Sequence, residues 1–163
     1  MLRGMIGVAA LLWASAAGAA DWRYENPGMP IAYADTGDAQ FHFACRGGDL
    51  AMGFGVLSPD GAVAGATTMN LAITPDPAEG SAPGAAGSNF AQEIPLVHSQ
   101  GSWMIVRGPV ARQWARIAQQ AKGSLRVSFV RSDGAGKLEF FDGTLFGASG
   151  SAAAIKQVLD RCG

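Results

Sequence analysis

His42 and His98 are the two histidines of the chain, and they are the side chains that could serve as neutral-pH bases or zinc ligands. Joined by a carboxylate such as Asp35, Asp38 or Glu93, they could form a small metal centre or a hydrolytic base. They stand far apart in the sequence, each at a strand-like position, and the acidic residues are near them only along the chain. Ordinary surface or hydrogen-bonded histidines account for the same pattern. Ser149 and Ser151 could be nucleophiles, but their place at the start of an apolar helical segment is explained by capping. No His-Glu-x-x-His, Cys-x-x-Cys, Gly-x-Ser-x-Gly or calcium-loop pattern is present. The sequence therefore assigns no catalytic residue, no metal ligand and no cofactor. A small periplasmic hydrolase or metal-binding protein using His42 and His98 stands as the alternative reading.

Cys45 and Cys162 are the remaining reactive pair, and their chemistry depends on compartment. Residues 1–20 read as an export signal: Arg3 gives a short positive start, Met5 to Trp13 an apolar run, and Ala17-Gly18-Ala19-Ala20 a small-residue end. Cleavage is expected before Ala20 or Asp21. Gly4, Gly7, Ser15 and Gly18 dilute the run, which is shorter than a membrane span needs. The mature chain is therefore expected in the periplasm or outside the cell, with no membrane span. An oxidising compartment would join Cys45 to Cys162. Closing so long a segment is worth about 5 kcal/mol in the chain-entropy account, before any native strain is subtracted.

The elements that must position these residues alternate like a β protein. Phe41, Phe43 and Cys45 share one strand face, Gly47-Gly48-Asp49 supplies a turn, and Leu50, Met52, Phe54 and Val56 face inward on the returning strand. Gly53 and Gly55 leave the outer face of that strand flat. Ser58-Pro59-Asp60-Gly61 is a turn signal, and Thr67 to Thr74 is a further strand. Pro75 to Asn89 loses all periodicity and is read as a long loop, a solvated connector in preference to a mobile lid. Strands are expected over Ile94 to His98 and Trp103 to Arg107. Val110, Trp114, Ile117, Ala118 and Ala121 then recur at helical spacing. Leu125 to Phe129 and Lys137 to Phe141 form a second hairpin about Asp133-Gly134. Ile155, Val158, Leu159 and Cys162 place the last cysteine on the core face of a closing helix. The expected architecture is mainly β: an antiparallel β-sandwich or curved sheet with two helices and one disulfide, residues 21–163 forming a single domain.

Composition narrows the partners. The chain holds 12 basic and 13 acidic residues for a net charge of −1, which argues against a nucleic-acid footprint. Trp114 and Trp103 are expected in the core by their spacing, and Trp22 is expected to anchor the new amino terminus to the sheet. Arg107, Arg112 and Arg116 are the candidate partner contact, a small basic patch in a stretch with no acidic residue between Glu93 and Asp133. Solvation of an outward helix face is the simpler reading of the same residues.

The leader, Trp22, the Phe-His-Phe-Ala-Cys strand ending at Cys45 and the segment from Phe146 to Cys162 resemble small exported proteins of Gram-negative bacteria. The similar groups are the invasion-associated locus B family and the type VI secretion accessory VasI. The resemblance implies a sandwich-like body of short hairpins and an accessory or binding protein without known catalysis, associated with invasion or secretion. Its partner would be another envelope or secreted protein. Neither group supplies a motif from which a catalytic residue can be carried over.

Overall fold

A computed structural model of the chain describes residues 21–162. The export signal expected over residues 1–20 lies outside the described residues. The first four strands, β1 (Arg23–Glu25), β2 (Ile31–Asp35), β3 (Ala39–Arg46) and β4 (Asp49–Val56), form an antiparallel meander. They are followed by α1 (Gly61–Ala64), β5 (Thr68–Pro75), β6 (Asn89–His98), β7 (Ser102–Arg107) and α2 (Pro109–Gln120). The chain closes with β8 (Ser124–Ser132), β9 (Leu138–Gly147) and α3 (Ser151–Leu159). All nine strands belong to one antiparallel sheet in the order β1-β2-β3-β4-β7-β6-β5-β8-β9. Among the described residues no helix is long and apolar enough to cross a membrane.

The sheet curls because its inward rows are aromatic and must be buried on one side. Phe54 of β4 meets Phe129 of β8 with ring centroids 4.9 Å apart, and Phe41 of β3 meets Phe146 of β9 at 5.8 Å. Neither pair comes from neighbouring strands. The long strand β6 makes the curl possible, because one end pairs with β5 and the other with β7. Within the part that pairs with β5, Glu93 takes a φ of 52°, the ladder shifts register between Met69 and Leu71, and Asn70 Oδ1 accepts the Glu93 N–H at 2.9 Å.

The core face is capped by α2 and α3. Ala111, Trp114, Ala115 and Ala118 are the buried residues of α2 and Ala121 just beyond it is buried too, whereas Val110, expected on the same face, stays exposed. Ser149 and Ser151 do not cap α3. Gly150 occupies the cap position with a left-handed backbone, and the Ser151 hydroxyl instead donates to the Ala118 carbonyl at 2.8 Å, joining the two helices. The Ser58-Pro59-Asp60-Gly61 turn opens a third helix that the sequence pattern did not show. Its four residues are capped by Asp60, whose carboxylate accepts the Ala62 N–H at 2.7 Å.

Three anchors fasten the ends. Trp22 is buried as expected: its indole N–H donates to the Gly147 carbonyl at 2.9 Å and its backbone N–H to that of Ser149. Cys45 and Cys162 form the disulfide, with Cα atoms 5.5 Å apart across a sequence separation of 117. Arg112 Nη2 donates to the Cys162 carbonyl at 3.1 Å, so the last residues are held by a helix side chain as well.

The segment between β5 and β6 is solvated along its length, residues 76–88 being exposed or half-buried, and it is tied to the sheet at several points. Ala72, Thr74, Ser128 and Val130 belong to outward rows yet are buried. Arg126 donates to the Ser81 carbonyl at 2.9 Å, Thr74 and Ser88 hydroxyls bond at 2.7 Å, and the Phe140 ring sits against Gly84. Asp76 fixes where the segment leaves the sheet. Its carboxylate accepts the N–H groups of Gly123 at 2.6 Å, Lys122 at 3.0 Å and Ser124 at 3.2 Å, which holds its pKa below the ordinary aspartate value.

Two outcomes follow from these anchors. Protein from an oxidising compartment should show no free thiol on denaturing alkylation, and Cys45→Ser should lower unfolding free energy by about 3 kcal/mol in denaturant titration. Asp76→Ala should cost about 1 kcal/mol at neutral pH, the scale of a lost cap. Because the folded-state pKa of Asp76 is depressed, that difference is present above the ordinary carboxylate range and should close as pH falls through the depressed value.

Candidate functional site

The outward rows of β2, β3, β4 and β7 remain uncovered, and their chemistry is set by two glycines. In register, Tyr33, His42, Gly53 and Ile105 form one row, and Asp35, Gln40, Gly55 and Trp103 the next, which Val97 of β6 extends. A Cβ at Gly53 would run into the imidazole of His42, and one at Gly55 into the indole of Trp103. Each ring therefore rests on the bare backbone of β4. Their centroids are 6.4 Å apart. The flat strand read from Gly53 and Gly55 is thus filled by side chains of its neighbours.

Trp103 is not a core residue, contrary to its expected place. The inward row of β7 is Ser102, Met104 and Val106, all buried, and Trp103 shares the opposite parity with exposed Ile105 and Arg107. That parity is the signal that could have placed it: a strand face ending in arginine is the solvent face. Around Trp103 lies a cavity of about 170 Å³ walled by Asp35, Gln40, Gly55 and Leu57. Leu57 at 51%, Val97 at 51% and Ile105 at 45% exposure surround it with apolar surface. Asp35 also borders a second cavity of about 250 Å³ with Asp21, Arg23 and Tyr33. The Tyr33 hydroxyl donates to Glu25 Oε1 at 2.5 Å, which raises the phenol pKa.

The two histidines are not brought together. His42 faces outward, its Nδ1 sealed from solvent without a hydrogen-bond partner, and burial lowers its pKa to about 4. His98 leaves the other face: Nδ1 bonds the Ser102 hydroxyl at 2.9 Å and Nε2 the Ala66 carbonyl at 2.8 Å. Its ring latches the end of β6 to the segment before β5. Among the described residues no group of three His, Cys, Asp or Glu side chains could hold a metal ion.

The arginines separate as well. Arg107 stands in the outward row of β7, whereas Arg112 and Arg116 leave from α2, which packs into the opposite face. Arg112 is committed to the Cys162 carbonyl, so a charge reversal there disturbs the carboxy-terminal anchor as well as any anion contact. A polar cleft of about 380 Å³ opens at the bend of β6, with Asn70, Gln92, Glu93 and Arg131 in its wall. Arg131 is paired with Glu139 at 2.6 Å and lies 5.2 Å from the centre of the Phe141 ring, which fixes it as part of the sheet surface.

Compared with family models, curated proteins and solved structures, the chain gives no match.

His42 makes the uncovered face sensitive to acid. An imidazole whose folded pKa is depressed binds fewer protons than the unfolded chain between its two pKa values, so stability is intact above pH 6.5 and is lost as pH falls toward 4. The loss should reach up to about 3 kcal/mol, reduced by hydration of the exposed part of the ring. His42→Phe, which keeps a flat ring over Gly53, should flatten the unfolding free energy between those pH values. An unchanged slope in that variant would remove His42 as its source.

Proposed function

We propose that this chain is a noncatalytic, exported binding or accessory protein of the periplasm or the extracellular space, which recognises another envelope or secreted protein. The observation that carries the reading is the uncovered outward face of β4, β7 and β6, where Trp103, Ile105, Val97 and Leu57 stand exposed or half-buried around a small cavity. A contiguous apolar patch with an aromatic anchor is the composition of a recognition surface. The reading is supported from the opposite side by the structural use of His98 in two hydrogen bonds, of Ser151 in a helix contact and of both cysteines in the disulfide. Export is supported by the character of residues 1–20 and by a disulfide that persists in an oxidising compartment. A role in invasion or secretion is what the resemblance of the Cys45 strand and the Phe146 to Cys162 segment adds.

Photo-crosslinking in intact periplasm tests it. A photoreactive residue at Ile105 or Val97 should yield a discrete adduct with an envelope protein, and one at Glu139 on β9 should not. Absence of any adduct from the first two positions, together with stoichiometric zinc that is lost in His42→Ala, would replace the binding reading with the metal-protein alternative.

A further inference from the structure

The cavity beside Trp103 has a specific chemical character. One wall is the indole of Trp103, whose ring lies over Gly55. A second wall is aliphatic, from Leu57. Asp35 is the single charged residue in the lining. One Asp35 oxygen is committed to its own turn, accepting the Gly37 N–H at 2.7 Å. The other has only the Gln40 amide at 3.4 Å, beyond good hydrogen-bond range, and so retains acceptor capacity. The same turn carries Asp38, and the neighbouring cavity adds Asp21 against Arg23, so the surroundings of Asp35 are net negative.

From this combination we propose that the Trp103 cavity is a receptor slot for a basic side chain of a protein partner, arginine or lysine. The charge complementarity is specific: an aliphatic stem packs along Leu57 and the edge of the slot, the cationic head lies against the indole face, and the free Asp35 oxygen accepts its N–H donors. Phosphorylated or carboxylated ligands meet a carboxylate with no cation in the lining. A neutral saccharide would match the indole and the Gln40 amide, but it leaves the exposed apolar strip of Val97 and Ile105 without a use. A polypeptide covers that strip with the residues flanking the basic one. This inference rests on the proposed recognition of a protein partner and names the chemistry by which that partner is held.

The test uses the disulfide-bonded mature protein and a capped peptide with one arginine between apolar residues. Two counter-probes accompany it: the same peptide with citrulline, a neutral isostere of arginine, and a free N-acetylhexosamine. Binding is followed by calorimetry and by the Trp103 indole N–H resonance. The arginine peptide should bind and shift that resonance, the citrulline peptide should bind about tenfold more weakly, and affinity should fall with added salt. Asp35→Asn keeps the acceptor for the Gly37 turn while removing the charge, so it should erase the arginine-over-citrulline preference and the salt dependence. Trp103→Ala should lose binding, with far-ultraviolet circular dichroism and Trp103→Phe serving as controls for the fold. Equal affinity for the two peptides, no arginine-peptide binding at millimolar concentration, or a Trp103 shift with the hexosamine alone would each overturn the slot. Periplasmic crosslinks at Ile105 together with any of those outcomes would leave the binding function standing and discard only its proposed chemistry.

Discussion

The contact between Phe54 and Phe129 organises the molecule, since it joins β4 to β8 across strands that do not pair. Nine strands laid flat would expose every inward phenylalanine to water. Bringing Phe41 to Phe146 and Phe54 to Phe129 closes the sheet on itself and leaves an opening that α2 and α3 fill with Trp114, Ala115, Ile155 and Val158. Each such aromatic contact adds roughly 1 kcal/mol beyond the area it buries. β6 joins the two halves, pairing with β5 over its first part and with β7 over Leu96 to His98. The ends of the sheet have to be fastened for the same reason. Trp22 reaches Gly147 on β9, and the disulfide ties β3 to Cys162 beyond α3, so the curl is held near both ends of the described residues.

The outer side of a curled sheet cannot hide itself, and this protein treats its two halves differently. Over β5 and β8 the segment between β5 and β6 is tied to the sheet through Arg126 and Thr74, and the outward residues Ala72, Thr74, Ser128 and Val130 are buried. Asp76 fixes one end of that segment by accepting three successive backbone N–H groups. Over β3, β4 and β7, His42 and Trp103 lie on Gly53 and Gly55. Trp103 stays half-buried at the surface, whereas His42 has its Nδ1 sealed from solvent.

Much of this was legible in the residues. The hairpins about Gly47-Gly48 and Asp133-Gly134, the parity of Phe41, Phe43 and Cys45, and the limits of the loop at Pro75 and Asn89 all follow from period and turn chemistry. These features are local, or, for the disulfide, the only pairing available. What was not legible depends on neighbours distant in sequence. Gly53 and Gly55 announce that something approaches β4, but only the register with β3 and β7 identifies His42 and Trp103 as the occupants. Ser149 and Ser151 carry the right chemistry for a cap, yet Gly150 takes the cap position because its left-handed backbone turns the chain from β9 into α3. Asp76 gave no periodic signal, since its partners are backbone groups of a turn contributed by Lys122, Gly123 and Ser124.

Trp103 shows why a large aromatic residue is a poor guide to the core in a strand with apolar residues on both faces. Met104 and Val106 claim one side of β7, and the tryptophan and Ile105 the other, so hydrophobicity alone cannot choose between them. Volume does. The inward side of β4 already carries Met52 and Phe54, fully buried, and an indole added there would overfill a core packed at near-crystalline density. The outward side has the two glycines and therefore the room. Placing the ring on Gly55 shields the backbone of β4 from water while keeping the indole at the surface, where its orientation is fixed before any ligand arrives. A ring held this way loses little conformational freedom on binding, and that is the condition under which a shallow surface slot can discriminate between ligands.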